Sequence, residues 1–208
     1  MPAWISSKTT KVAVFSLSLV PLALLLVGFR SNTLGANPIE YITHDTGTWT
    51  LRFVLLTLTI TPARRIFKQP NLIAFRRMLG LFAFFYGCLH LMTWVWLDKF
   101  FDAREMVDDV VKRRFITMGM FGFVLMVPLA ITSTKGWIRR MGKNWTRLHR
   151  LVYVTAIAGV IHYWWLVKSD IRLPLMYGVI AVVLLSLRLL KVRRPVPAVP
   201  GTARAGVV

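Results

Sequence analysis

Residues 78–97 read MLGLFAFFYGCLHLMTWVWL, twenty consecutive positions without a formal charge and with one histidine, His90, well inside the run. A hydrocarbon core about 30 Å thick needs about 20 mainly apolar residues in a helix, so this stretch predicts a transmembrane span. A histidine at such depth is costly unless it faces the bundle interior, and it therefore marks function by default. Five further stretches come close to the same length, at 12–29, 48–62, 115–132, 151–167 and 173–190. The stretch 48–62 is the most dilute, because it carries Arg52 and several threonines. The reading is an all-α integral membrane protein, a bundle of about six transmembrane helices, with one domain over 1–194. A tail at 195–208, rich in proline (Pro195, Pro197, Pro200), is expected to be disordered.

Composition agrees: 56% of the residues are hydrophobic and the mean hydropathy is +0.58. Lys8 and Lys11 precede the first apolar run as they would in a signal peptide, but Val12 to Phe29 exceeds the roughly 7–15 residues of a signal core, and a retained span is expected. The net charge of +19 would suggest nucleic acid in a soluble protein, yet its placement gives another answer. With the amino terminus inside, 18 basic residues and no acidic one fall on inside segments, while the other nine basic residues and all eight acidic ones fall outside. That asymmetry predicts both termini inside and contact with anionic membrane lipid, and leaves no nucleic-acid partner. The single cysteine, Cys88, lies within a span and is given no role.

The chain has four histidines: His44, His90, His149 and His162. The third and fifth spans run in the same direction. His90 lies 14 residues beyond Arg76, and His162 lies 13 beyond His149, rises of about 21 and 20 Å at about 1.5 Å per residue. His90 and His162 therefore share a depth toward the outer face, where two neutral imidazoles could supply the axial nitrogens of one b-type haem. His149 falls near the inner face at the depth of Arg76 and Arg77, a place for a second haem with no histidine opposite. Arginine's planar fork would suit haem propionates or a flavin phosphate there. Thirteen residues turn an ideal helix by about 220°, so His149 and His162 need a local distortion to share a face. His44 reads as an ordinary loop residue, within a Leu34–Gly47 segment of loop composition. No internal repeat and no Gly-rich phosphate fingerprint is evident, so nicotinamide chemistry would have to come from another protein. Two rival readings are a proton or ion transporter using His90 and His162 as a relay, and a non-redox scaffold whose histidines join helices.

Several motifs carry a resemblance. Trp145-Thr146-Arg147-Leu148-His149-Arg150-Leu151-Val152-Tyr153, with His162 thirteen residues on, resembles the opening of the fifth span in ferric-reductase-like membrane domains. Leu34 to Glu40, Thr43-His44-Asp45-Thr46-Gly47, Phe75 to Leu81 and Tyr86 to His90 resemble the MsrQ (YedZ) family, haem-binding membrane subunits of bacterial protein-methionine-sulfoxide reductase systems. The resemblance implies a bacterial inner-membrane, multi-pass electron carrier with one or two b haems and FMN. It implies electrons from the quinone pool or a cytosolic flavin reductase, passed to the periplasmic molybdenum enzyme MsrP for repair of oxidised methionine. It implies no catalytic residue of its own, haem ligation by His90, His149 and His162, and contacts from Arg76 and Arg77 to propionate or flavin phosphate. The sequence departs from the wider superfamily in having no fourth histidine near Arg76 and in lacking a fused flavin–nicotinamide domain. The expected electron path runs from the basic inner face outward, with the Asp98–Arg114 and Leu34–Gly47 segments as the docking surface for the acceptor.

Overall fold

The computed structural model describes residues 7–189, and the tail expected at 195–208 lies outside them. The described residues form helices α1 (Lys8–Arg30), α2 (Pro38–Ile66), α3 (Ile73–Met92), α4 (Ala103–Lys112), α5 (Arg114–Ile131), α6 (Lys135–Met141), α7 (Lys143–Leu148), α8 (Leu151–Leu166) and α9 (Arg172–Leu189). A 3-10 turn, Pro70–Leu72, leads into α3, and a π-helical turn, Thr93–Asp98, prolongs it. The six apolar stretches fall on α1, α2, α3 with its π turn, α5, α8 and α9. Three segments, Lys8–Arg30, Pro70–Asp98 and Arg114–Ile131, are long and apolar enough to cross a membrane by length and composition. Only 22%, 28% and 17% of their apolar windows are buried inside the protein. Apolar surface left outside on this scale has to meet lipid, and the chain is a multi-pass membrane protein.

One boundary differs from the sequence reading. The segment 34–47 is not a loop throughout, because α2 begins at Pro38. The cause is a local cap: the Asn37 side chain accepts the Glu40 backbone N–H at 3.2 Å and donates to the Glu40 carboxylate at 3.1 Å. Proline at the first helical position needs no hydrogen-bond acceptor, so it adds to the start signal. His44 and Gly47 thereby sit on a helix. The Asp98–Arg114 segment holds a short helix, α4, capped by Asp102.

The most extensive pairings are α2 with α3 and α5 with α8, and they meet through α2 on α8 and α3 on α5. α9 packs on α8 and α2, and α1 on α3 and α2. Around Leu58, Phe53, Phe82 and Tyr86 the core closes. Two buried polar devices hold the outer helices to it. Pro62 has no N–H, so the carbonyl of Leu58, four residues earlier in α2, has no helical donor. Arg188 of α9 fills that vacancy with Nη2 at 2.7 Å and donates from Nη1 to the Tyr153 hydroxyl of α8 at 2.7 Å. One guanidinium thus ties three helices together. Beside Pro21 in α1, the Tyr86 hydroxyl donates to the Ser18 carbonyl at 2.9 Å and accepts the Leu22 N–H at 3.2 Å. It stands where the helical bond between those two groups would otherwise run. On α2, Arg52 donates from Nε to the Tyr177 hydroxyl of α9 at 2.8 Å.

Candidate cofactor site

His90 on α3 and His162 on α8 come together, with ring centroids 6.0 Å apart and planes inclined by 74°. Both line one cavity between α2, α3, α5 and α8. The depth match expected from the helical rise is what the side chains display. Each ring is fixed from behind. His90 Nδ1 lies 2.9 Å from the Thr43 carbonyl of α2, and His162 Nδ1 lies 2.6 Å from the Phe115 carbonyl of α5. A carbonyl can only accept, so Nδ1 carries the proton in both rings and each Nε2 keeps its lone pair. A backbone acceptor behind a ligating histidine is the arrangement that sets its tautomer and raises its basicity.

The backbone explains why these carbonyls are reachable. In a helix the Cβ of residue i+4 leans back toward the carbonyl of residue i. The residues four beyond Thr43 and Phe115 are Gly47 and Gly119. A Cβ on Gly47 would lie 2.9 Å from His90 Cε1, and one on Gly119 would lie 2.7 Å from His162 Nδ1. The two glycines are therefore cradles in which the imidazoles rest. Because they have no side chain, each ring reaches its carbonyl.

The cradles are copies of one another. Gly47 precedes His90 by 43 residues, and Gly119 precedes His162 by 43. Thr43, Gly47, Gly87 and His90 each have a counterpart 72 positions on, at Phe115, Gly119, Gly159 and His162. Contacts follow the same correspondence: a Cβ on Gly87 would lie 3.5 Å from Phe123, and one on Gly159 3.3 Å from Leu51, itself the counterpart of Phe123. The pair α2–α3 and the pair α5–α8 are thus two versions of one unit. This corrects the reading of no internal repeat. The signal was present as a doubled Gly-x-x-His, at Gly87–His90 and Gly159–His162. Carbonyls carry no residue identity, and few other positions match, so the repeat does not stand out in the sequence.

The other sequence candidates are not in this cavity. His149 caps α7, where the chain breaks before α8, which supplies the distortion between His149 and His162. Its Nε2 lies 3.0 Å from the Thr132 hydroxyl. Thr132 donates its own hydrogen to the Pro128 carbonyl at 2.6 Å, so His149 must be the donor and Nδ1 its free nitrogen. That is the opposite tautomer to the paired histidines. Trp145 stacks on the ring at 3.9 Å. Burial, with the nearby charge of Arg76 adding to it, pushes the His149 pKa down to about 4, so the ring is neutral at ordinary pH. Arg76 is half-buried and within electrostatic reach of Arg188, Tyr153 and Arg64, whereas Arg77 is exposed. His44, read as an ordinary loop residue, lines the histidine cavity, as do Asp98 and Arg113.

Comparison with known proteins gives a family. Residues 12–160 match the model for "Ferric reductase like transmembrane component". The protein-methionine-sulfoxide reductase heme-binding subunit MsrQ of Herminiimonas arsenicoxydans is 54% identical over 181 residues, 86% of this chain and 83% of that protein. The protein of the same name from Caulobacter vibrioides is 51% identical over 84% of this chain and 83% of its own. The one from Xanthomonas campestris pv. campestris is 48% identical over 90% and 88%. No solved structure matches the chain.

Proposed function

Since this chain belongs to the ferric-reductase-like transmembrane component family, among the MsrQ heme-binding subunits, we propose that it is a transmembrane b-type cytochrome serving a protein-methionine-sulfoxide reductase. His90 and His162 would hold one haem between them. The observation that carries this is the spacing of the fixed imidazoles. A metal about 2 Å from each nitrogen, with each ring centre about 1 Å further back, asks for centroids about 6 Å apart, and they stand at 6.0 Å. The donor set suits the group too, with two neutral nitrogens of fixed tautomer and a cradle free of side chains behind each ring. Haem bound there would supply a one-electron couple within the bilayer. The chain's own part is to hold both rings at fixed depth, keep Nδ1 protonated, and exclude competing ligands with an apolar wall including Leu51, Val54, Phe123 and Met126.

In this reading the electrons come from the quinone pool or a cytosolic flavin reductase and leave for the periplasmic molybdenum reductase MsrP at the end bearing Thr43, Asp98 and Arg113. The chain is an electron-transfer subunit of the bacterial inner membrane, and the sulfoxide chemistry occurs on its partner. His149, with the charge of Arg76 close to it, would be the place for a second haem or for FMN, with Arg76 and Arg77 as the propionate or phosphate contacts. Iron there would have to displace Thr132 from Nε2 or bind through Nδ1.

The test is the absorption spectrum of the purified chain, oxidised and dithionite-reduced. His90→Ala and His162→Ala are each expected to abolish the same low-spin haem signal, and His149→Ala to leave that signal in place. A colourless preparation made with adequate haem supply would overturn the reading.

A further inference from the structure

Besides its paired histidines, the cavity has one cationic side chain, Arg113, and one further imidazole, His44, to offer an acid. Its lining is apolar, hydroxyl or glycine apart from His90, His162, His44, Asp98 and Arg113. A b-type haem carries two propionates, and carboxylates in such a wall need a cation or donors at the rim. Arg113 sits at the extended junction between α4 and α5, and its side chain remains about half exposed at 53%. Its Nε lies 3.0 Å from Asp109 Oδ1, an ion pair that leaves the two terminal amino groups of the fork for a further acceptor. Asp109 is itself held by Lys99, whose Nζ lies 2.9 Å from Oδ2, so the support behind Arg113 is not free to swing. Lys99 also stands 3.7 Å from Asp98, which offsets the carboxylate that lines the cavity nearby.

We infer that Arg113, oriented by Asp109, pairs with a haem propionate at the rim of the His90–His162 cavity, with His44 as a second contact from α2. The inference rests on the haem reading and assigns the propionate role for this haem to the α4–α5 junction. Arg76 and Arg77, expected from sequence to have that role, do not line this cavity. An arginine against a propionate stabilises the reduced, less positive haem and closes the rim against release of the cofactor.

The experiment uses the full chain, purified with haem in detergent, and compares Arg113→Gln, Arg113→Lys, Arg76→Gln and, as an exposed control beside Asp170, Arg172→Gln. Spectroelectrochemical titration and haem transfer to excess apomyoglobin are the readouts. In Arg113→Gln the low-spin spectrum should persist, with the reduction equilibrium about tenfold toward ferric, 59 mV for one electron, and haem release about tenfold faster. Arg113→Lys should recover most of the potential, and Arg172→Gln should match the wild type. Should Arg113→Gln retain no haem, Arg113→Lys decides: a retained haem supports the pairing, and equal loss overturns it. Wild-type potential and release in Arg113→Gln, or a larger shift in Arg76→Gln, would also overturn it. A wild-type chain without haem would instead remove the haem reading beneath it.

Discussion

Adding one methyl group at Gly119 should disable the cofactor site while leaving the helix stronger. A Cβ there would lie 2.7 Å from His162 Nδ1 and 2.8 Å from Cε1, whereas ordinary contact begins at 3.4 Å. The ring would therefore have to retreat by about 0.7 Å, a third of a metal–nitrogen bond of about 2 Å. Retreat also strains the bond from Nδ1 to the Phe115 carbonyl, which is 2.6 Å long. Overpacking on this scale costs about 1–3 kcal/mol, and at about 1.4 kcal/mol per decade that weakens haem retention roughly five- to 150-fold. Alanine in place of glycine inside a helix lowers the cost of forming it by up to about 1 kcal/mol, so lost haem could not be blamed on a weakened α5. Gly80 of α3 provides the control, since it does not line the cavity and a Cβ there meets Thr57 Cγ2 at an ordinary 3.8 Å. The assay is haem content per chain and the rate of haem transfer to apomyoglobin for Gly119→Ala, Gly47→Ala and Gly80→Ala. Gly119→Ala should be the most impaired and Gly47→Ala next, while Gly80→Ala should equal the wild type. Wild-type haem content and release in Gly119→Ala would refute the cradle.

Arg188→Met should lower thermal stability by about 1–3 kcal/mol, because the Leu58 carbonyl is left without a donor. Adding Pro62→Ala should restore part of the loss by returning a helical N–H to that carbonyl. A double variant no more stable than Arg188→Met would exclude this account. Tyr86→Phe, which removes the hydroxyl between Ser18 and Leu22, should cost a similar about 1–3 kcal/mol and speed proteolysis of α1 in detergent; unchanged cleavage would count against the bridge. The hydrogen bond from Lys99 to Asp109, with ion pairing to Asp98, Asp109 and Glu105, raises the lysine above its usual 10.5. A raised pKa gives stability that is full below the unfolded value and is lost as pH rises through the folded one. The melting gap between wild type and Lys99→Met should therefore be present at pH 7 and 9 and shrink as the pH rises beyond 10.5; a gap independent of pH would contradict the assignment.

Much of the architecture was legible because lipid imposes simple rules. Length and apolarity locate α1, α3 and α5, and the rise per residue brings His90 and His162 to one depth before any side chain is placed. What escaped was mostly backbone. Thr43 and Phe115 act through carbonyls that any residue could offer, so no residue pattern points to them, and Gly47 reads as loop punctuation in a segment that also holds Gly35, Asn37 and Pro38. The start of α2 was readable after all, from asparagine, proline and glutamate in capping order. Arg188 is instructive in the other direction: the positive-inside count includes it, yet its guanidinium is spent on the carbonyl that Pro62 orphans and on Tyr153. His149 was singled out by motif, but its partner Thr132 lies 17 residues earlier in the chain, beyond the reach of spacing arguments.

The doubled cradle also dictates an order of biogenesis. The chain is made from its amino terminus, so the unit that ends at His90 is complete 72 residues before its counterpart at His162. Until α8 has been inserted and has packed on α5, one imidazole waits with no opposite number. In the proposed reading, capture of haem by both histidines would wait until α8 is in place, and a bound haem would certify that both halves have met, riveting together two units that translation delivers separately.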